Sequence, residues 1–335
     1  MKNILVDVDI NPEGLKRLKS IKDVTVQTIT AVEDFRHIEP DIIKDKHILF
    51  CTYPPTNLAD MQKLEFVQIA SAGYTQLFGL GLAERNIKAA NAAGVNDITI
   101  AQWNIAMMIN LARDMRGMIR NQEAGIWDRP ARFQMDIRGK TVGIWGYGGI
   151  GRETARLARA IGMNVHAFDV RVGPRENMFA VDGTGDKAGI LPNRVFSTDQ
   201  KKEFLNGLDF LVLSMPLTKR TEGIIGYEEL TMLPAHAFVL NPARGPLIKE
   251  QALLQVLREG KISGAALDTH YYYPMPADHP LWRFPNVIMT PHISGSTLSP
   301  NFLPLLWDLF VQNVERYISG KPLLNELSPE QLKGL

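Results

Sequence analysis

The sequence predicts an α/β protein built on parallel sheets in two domains, and three observations carry that expectation. Short apolar runs alternate with helix-like segments almost from end to end, the pattern of strands buried on both faces between covering helices. The 335 residues are roughly twice a common domain length. One run, Thr141-Val-Gly-Ile-Trp-Gly-Tyr-Gly-Gly-Ile-Gly151, has the glycine spacing of a strand that turns directly into a helix around a phosphate group.

In chain order, residues 4–8, 24–28, 48–50 and 66–69 read as strands, with helix-like segments at 12–20 and 57–63, and this first α/β unit ends near Asn91. Asp97 then serves as N-cap of one long helix running to Ala124, with Gly125 as its C′ stop. Its first half is apolar all round (Ile98, Ile100, Trp103, Ile105, Met107, Met108, Ile109, Leu111), which predicts burial in a core, between domains or in a subunit interface. A second series places six strands at 141–145, 165–169, 208–213, 238–241, 265–267 and 287–289, with helices at 150–161, 228–233 and 249–259. Residues 172–197 break the rhythm, because Gly173, Pro174, Gly183, Gly185, Gly189 and Pro192 favour irregular backbone. A last helix spans 302–317 and is stopped by Gly320 and Pro322. No internal repeat or low-complexity tract interrupts the series.

Composition excludes several classes of function. A hydrophobic fraction of 45% suits a folded chain rather than a disordered one. Thirty-seven Lys and Arg against 36 Asp and Glu leave a net charge of +1, without the basic excess that binding a phosphate backbone requires, so no nucleic-acid partner is expected. The single Cys51 allows neither an intramolecular disulfide nor a multi-cysteine metal site, no metal is expected, and a reducing compartment fits. The N-terminal MKNILVDVDI is broken by Asp7 before it could form a signal-peptide core. Thr99, Gln102, Asn104 and Asn110 interrupt the most hydrophobic stretch, 98–112, so no membrane span is expected there. A soluble, cytoplasmic protein is the expectation.

Gly146, Gly148 and Gly151 form G-x-G-x-x-G between a strand and a helix. Gly146 permits the tight turn, Gly148 lets backbone approach a pyrophosphate, and Gly151 allows close helix–strand packing. The diphosphate then meets the free N–H groups and the positive dipole end of the helix. Asp169 ends the next strand, 18 residues past the last glycine, where a carboxylate can accept both ribose hydroxyls of NAD and repel the 2′-phosphate of NADP. NAD is therefore the expected cofactor, although Arg171 nearby is the type of residue that accommodates that phosphate. The later strands also end in polar stations: Ser214-Met-Pro-Leu-Thr218, Asn241-Pro-Ala-Arg244-Gly245, Asp268 and Thr290-Pro-His292. Ligands of an open α/β sheet bind outside the carboxyl ends of its strands, so these stations can converge on one cleft.

With these residues in place, the chain resembles the D-isomer-specific 2-hydroxyacid dehydrogenase family along nearly its whole length. The resemblance rests on TVGIWGYGGIG, SMPLTKRTEGII, LNPARGPLIKEQALLQVLREGKISGAALD and NVIMTPHISGST. It implies two Rossmann-like or flavodoxin-like domains linked by two long crossover helices, one over 97–124 and one near 296–317. The substrate domain would comprise residues 1–97 plus 298–335, and the NAD domain residues 98–297, with the substrate held in the interdomain cleft. It further implies an NAD-dependent oxidoreductase that interconverts a 2-hydroxy acid and a 2-oxo acid, assembled as a homodimer.

Carried over by position, Arg244 is implied to hold the substrate carboxylate and polarise the carbonyl, a task suited to a planar bidentate cation. His292 is implied to be the acid/base that exchanges one proton as hydride moves. Ser71-Ala72-Gly73 resembles the loop that binds the substrate carboxylate, with Ala72 and Gly73 as backbone donors. Cofactor contacts fall on Tyr147, Gly148, Gly149, Ile150, Asp169, Pro216, Thr221, Ala243, Asp268 and Gly295.

One position departs from the family. A glutamate is expected 29 residues after Arg244, hydrogen-bonding the histidine and keeping it charged; Tyr273 stands there, among the substrate-pocket residues, with no carboxylate until Asp278. Three alternatives remain open. The tyrosine hydroxyl bonds His292 without charging it; or Asp278 or another carboxylate folds in; or the protein runs an atypical redox reaction, or is an NAD(H)-binding regulatory or interaction protein on the same fold. With a neutral tyrosine, His292 would titrate near or below its ordinary value of about 6.5, and reduction would decline as pH rises through that region.

Overall fold

Parallel strands form two separate sheets, of five and seven strands, in the computed structural model, which describes residues 1–130 and 134–334. The chain divides into two units. The first comprises residues 1–96, 176–181 and 297–335, and the second residues 97–175 and 182–296.

The first sheet contains β1 (Lys2–Asp7), β2 (Val24–Thr28), β3 (Ile48–Cys51), β4 (Phe66–Ile69) and β5 (Lys88–Ala90), in the order β2-β1-β3-β4-β5. This is the flavodoxin-like order, with its switch point between β1 and β3. Both faces are covered. Ile4, Val6, Phe50 and Phe66 pack with Trp307 and Phe310 of the helix Phe302–Ile318, while Leu5, Leu49, Val67 and Ile69 fill the other side. The alternation follows from the two-residue period of a strand. Gly14 lets the helix Pro12–Ser20 lie against that C-terminal helix, since a Cβ there would stand 2.6 Å from Trp307 Cβ. Sequence patterning misses β5, whose Lys-Ala-Ala carries no β-branched signal and which forms because its register with β4 satisfies backbone groups. The helix expected over 57–63 shrinks to a single 3-10 turn, Leu58–Asp60.

The second sheet contains β6 (Thr141–Trp145), β7 (Asn164–Phe168), β8 (Arg194–Phe196), β9 (Phe210–Leu213), β10 (Phe238–Asn241), β11 (Gly264–Leu267) and β12 (Val287–Met289). The order β12-β11-β10-β9-β6-β7-β8 is the Rossmann arrangement extended by one strand, and it reverses between β6 and β9. There are seven strands rather than six because β8 arises inside the segment expected to be irregular and pairs with β7.

The long helix expected over 97–124 is two helices, Asp97–Ala112 and Met115–Glu123. Asp114 between them takes φ +45° and caps the second helix, accepting the Gly117 N–H at 3.2 Å. Aspartate tolerates left-handed backbone and is a strong N-cap, so here the local preference overrides helical continuity. Met108, Leu111 and Ala112 of the first helix join the core built on Val142, Ile144 and Val165. A buried hydrogen bond of 3.0 Å ties Asn104 to Thr154 of the helix Gly149–Ala160. Among the described residues no helix is long and apolar enough to cross a membrane.

Residues 172–193 are stitched rather than loose. Buried Arg152 donates to the carbonyls of Val172 (3.0 Å), Gly173 (2.8 Å), Tyr147 (3.1 Å) and Asp186. The Asp186 carboxylate accepts from the Tyr147 hydroxyl at 2.8 Å and from the N–H groups of Ile190 and Leu191. Residues 176–181 belong to the first unit, where Phe179 is buried and its N–H donates to Asn325 Oδ1 at 3.1 Å. Gly94, at φ +94°, makes room for it: a Cβ there would stand 2.2 Å from the Phe179 oxygen.

Candidate active site

The loop after β6 has the shape its glycines predict. Gly146 takes φ +101°, and a Cβ would meet the Met215 nitrogen at 2.7 Å, so this position needs both freedom of rotation and the absence of a side chain. A Cβ on Gly151 would lie 2.4 Å from the Gly146 oxygen, which keeps the helix tight against the turn. At Gly148, the N-cap of the helix Gly149–Ala160, a Cβ would meet nothing within 4 Å. An open, side-chain-free cradle before a helix N-terminus fits a diphosphate. Gly149 has a role the motif does not announce, because a Cβ there would clash with the carboxylate of buried Asp97 at 1.8 Å. Ile150 follows in the first turn of the same helix.

Asp169, directly after β7, is pinned to this turn. Its Oδ2 accepts from the Tyr147 N–H at 2.6 Å and its Oδ1 from the Arg171 N–H at 2.9 Å. Tyr147 thus meets the carboxylate through its backbone, while its ring is fully buried and lies 5.0 Å from the Arg152 guanidinium. At the switch point, the Ser214 hydroxyl donates to the Gly146 oxygen at 2.6 Å. Thr221 closes the next loop by donating to the Pro216 oxygen at 2.7 Å.

The corner around His292 is built from the loops after β10, β11 and β12. Buried Asn241 clamps the first loop. Its Oδ1 accepts from the N–H groups of Ala243 (3.1 Å) and Arg244 (3.2 Å), and its Nδ2 donates to the Arg244 oxygen at 2.8 Å. One Arg244 guanidinium nitrogen also donates to the Ala243 oxygen at 2.6 Å. Gly245 brings this loop against the next one, since a Cβ would stand 2.5 Å from the His270 carbonyl carbon.

Asp268 is fully buried and receives the Thr290 hydroxyl (2.5 Å), the N–H groups of Ile293 (2.9 Å) and Ser294 (3.0 Å), and the Ser294 hydroxyl. Its carbonyl accepts from the His292 N–H at 2.8 Å. These bonds over-determine the turn that holds His292 at φ +58°, a conformation costing a non-glycine residue about 1 kcal/mol or more. Thr290 in turn accepts the Trp103 indole N–H at 3.2 Å. Gly295 lies just past this turn.

Tyr273 Oη lies 3.1 Å from His292 Nδ1, with ring centroids 5.6 Å apart, and accepts the His270 N–H at 3.2 Å. Desolvation by the surrounding chain and then the charge of Arg244 hold His292 below its ordinary pKa; Asp268 pulls the other way and loses, and His270 adds to the lowering. Desolvation raises the Tyr273 phenol, against the His270 N–H and Arg244. His270 donates from Nε2 to the Thr290 carbonyl at 2.8 Å, leaving a buried Nδ1 without a partner among the described residues.

In the first unit, the Ser71–Gly73 loop is tied by its carbonyls: Asn91 Nδ2 donates to Ala72 O at 2.6 Å and the Ser71 hydroxyl to Gly73 O at 2.7 Å. The sequence pattern places Asn241 and Thr290 among the strand-end stations without a role of their own, and it does not single out His270, Ser294 or Arg152. Asn241, His270, Thr290 and Ser294 stand as polar types inside NPARG, DTH and TPHIS, and Arg152 directly after the glycine motif, but, Asn241 apart, which atoms they hold is decided by segments distant in the chain.

The family model for the D-isomer-specific 2-hydroxyacid dehydrogenase NAD-binding domain matches residues 105–294, more than half of the chain. The chain belongs to the D-isomer-specific 2-hydroxyacid dehydrogenase family. A D-3-phosphoglycerate dehydrogenase of Methanocaldococcus jannaschii is 32% identical over 301 residues, covering 89% of this chain and 54% of that protein, so the chain spans about half of that relative's length. A hydroxypyruvate reductase of Blautia hydrogenotrophica is 28% identical and covers 96% of this chain and 98% of its own length. A solved structure of a D-isomer-specific 2-hydroxyacid dehydrogenase family protein from Aeromonas salmonicida subsp. salmonicida A449 superposes with a TM-score of 0.78 at 25% identity, covering 98% of this chain and 99% of that one. The family is one of nicotinamide-dinucleotide-dependent oxidoreductases, and the cradle at Gly148 fits such a cofactor.

Proposed function

We propose that this chain interconverts a small 2-oxo acid and its 2-hydroxy acid with NAD(H), with Arg244 as carboxylate and carbonyl anchor and His292 as acid/base. The observation that carries the proposal is the juxtaposition of these two side chains. Backbone clamps on Asn241 and Asp268 fix the two loops that carry them at the carboxyl edge of one sheet, and the Arg244 charge adds to the lowering of the His292 pKa. A fixed guanidinium suits both a carboxylate and the charge developing on a carbonyl oxygen. When bound, the cofactor supplies or accepts the hydride. The chain orients the acid and holds the exchangeable proton at His292. Ala72 and Gly73 are proposed as backbone donors to the carboxylate.

The finer assignments belong to the same proposal. Asp169, fixed by two backbone donors, selects NAD over NADP. Tyr147, Gly148, Gly149, Ile150, Pro216, Thr221, Ala243, Asp268 and Gly295 contact the cofactor. Residues 1–97 plus 298–335 serve the substrate and residues 98–297 the cofactor. The protein is a homodimer, which light scattering at micromolar concentration checks: a monomer mass removes that part. Two of the relatives are named for hydroxypyruvate and D-3-phosphoglycerate, which supports a small acid as substrate.

The deciding experiment follows NADH consumption against a panel of small 2-oxo acids. Consumption with at least one supports the dehydrogenase. One observation favours a second function, an NAD(H)-binding regulatory protein: the group on His292 Nδ1 is a phenol rather than a carboxylate. Tight NADH binding with none of the acids reduced would favour that function.

A further inference from the structure

Of the two protein contacts of Tyr273 Oη, one has a fixed direction and the other is set by the His292 tautomer. A backbone N–H can only donate, so the 3.2 Å contact from His270 N occupies a lone pair of Oη. A phenol has one proton to give, and His292 Nδ1 at 3.1 Å accepts it when the imidazole carries its own proton on Nε2. An Nδ1 that accepts leaves the neutral imidazole with its proton on Nε2. The groups facing this pair are Arg244, Asp268 and His270. Asp268 has its carboxylate spent on Thr290, Ile293 and Ser294, and His270 has its Nε2 committed to the Thr290 carbonyl.

We propose that Tyr273 is a positioning residue that fixes His292 as the neutral Nε2–H tautomer and backs it with a second proton, so that the pair delivers a proton without first becoming imidazolium. This rests on the dehydrogenase activity proposed above. As the alkoxide formed from the oxo acid takes the Nε2 proton, the N–H bond pair stays on the ring and Nδ1 takes the hydroxyl proton of Tyr273. The O–H pair remains on the phenolate oxygen, which accepts from His270 N–H and faces the Arg244 charge. Nδ1 then returns its proton to the phenolate as Nε2 takes one from solvent, which restores the phenol and the Nε2–H tautomer; Tyr273 is 60% exposed, so the pair is open to solvent. Oxidation requires the reverse transfer, with Nδ1 returning its proton to the phenolate.

The test has two arms. In full-length protein labelled with ¹⁵N-histidine, NMR at neutral pH should show His292 Nε2 protonated and Nδ1 as a hydrogen-bonded acceptor. In Tyr273→Phe the Nδ1 resonance should move to the position of an unbonded acceptor. A protonated Nδ1 in the wild type, or an Nδ1 signal unmoved by the substitution, overturns the proposal. In the second arm, wild-type kcat/KM for reduction between about pH 5 and 9 should stay flat through the His292 titration, whereas Tyr273→Phe should fall about tenfold per pH unit above it. Profiles of the same shape, including the shared decline expected if imidazolium is the only donor, overturn the relay. If no 2-oxo acid is reduced by the wild type, the dehydrogenase and the relay fall together, while the NMR arm still decides the tautomer.

Discussion

The two ends of the seven-stranded sheet's active edge are made differently. The nucleotide turn is one continuous stretch, 141–151, whose shape follows largely from local backbone rules: a positive φ at Gly146 and a Gly151 position that admits no Cβ against the Gly146 oxygen. The His292 corner joins Arg244, Tyr273 and His292 from three loops that meet only because β10, β11 and β12 are neighbours. A turn specified by its own backbone tolerates little change of residue type. A corner specified by neighbours can exchange a partner, provided the clamps on Asn241 and Asp268 persist.

The largest expected effect strikes the corner alone. Arg244→Lys keeps the charge but loses the planar fork, and should lower turnover by about 100-fold or more while NAD affinity stays within about tenfold. Steady-state kinetics and a direct NADH titration separate the two, and near-normal turnover would remove Arg244 from the chemistry. Asp268→Asn comes next. An amide has one accepting oxygen and would face N–H donors with its own NH₂, costing about 2–3 kcal/mol of stability and loosening the His292 turn. Denaturant melts should show the loss together with a lower kcat; unchanged values would mean that the turn does not depend on Asp268.

Gly151→Ala probes the other region. The added methyl must push the helix from the Gly146 oxygen, for about 1–3 kcal/mol, and should weaken cofactor binding while leaving the His292 tautomer untouched. A tautomer change in this variant would show that the two regions are not independent. Asp169→Ala should weaken NAD binding about tenfold more than NADP binding, because the paired ribose hydroxyls belong to NAD alone. Equal losses would contradict the assignment. The smallest effect is electrostatic. Arg244→Gln removes a positive neighbour, so the depressed His292 pKa should rise. The sign follows from charge: without the guanidinium the imidazolium is less disfavoured, and His292 becomes protonated at a higher pH. NMR titration reads this directly, and a fall would mean that Arg244 is not the repelling charge.

Much of the fold was legible because its signals are local. Strands β6, β10 and β12 lie where apolar runs put them, since a buried parallel strand must be apolar on both faces. What was missed lacked a local signal. Lys88–Ala90 and Arg194–Phe196 are strands only because a neighbouring edge pairs with them. The break at Asp114 is a contest between helix continuation and capping that residue type alone does not decide.

The candidate site divides along the same line. By itself the sequence determined the nucleotide turn, the carboxylate after β7, and the presence of an arginine, a histidine and a tyrosine at strand ends, because backbone geometry and chemical type are properties of single residues and short spans. Only the tertiary structure decided that Asn241 and Asp268 hold the corner, that Arg152 binds the 172–193 segment, and that the Tyr273 hydroxyl, held by the His270 N–H, faces His292 Nδ1. Hydrogen-bond direction depends on which donors and acceptors the fold brings within about 3 Å, and spacing along a chain carries no record of that.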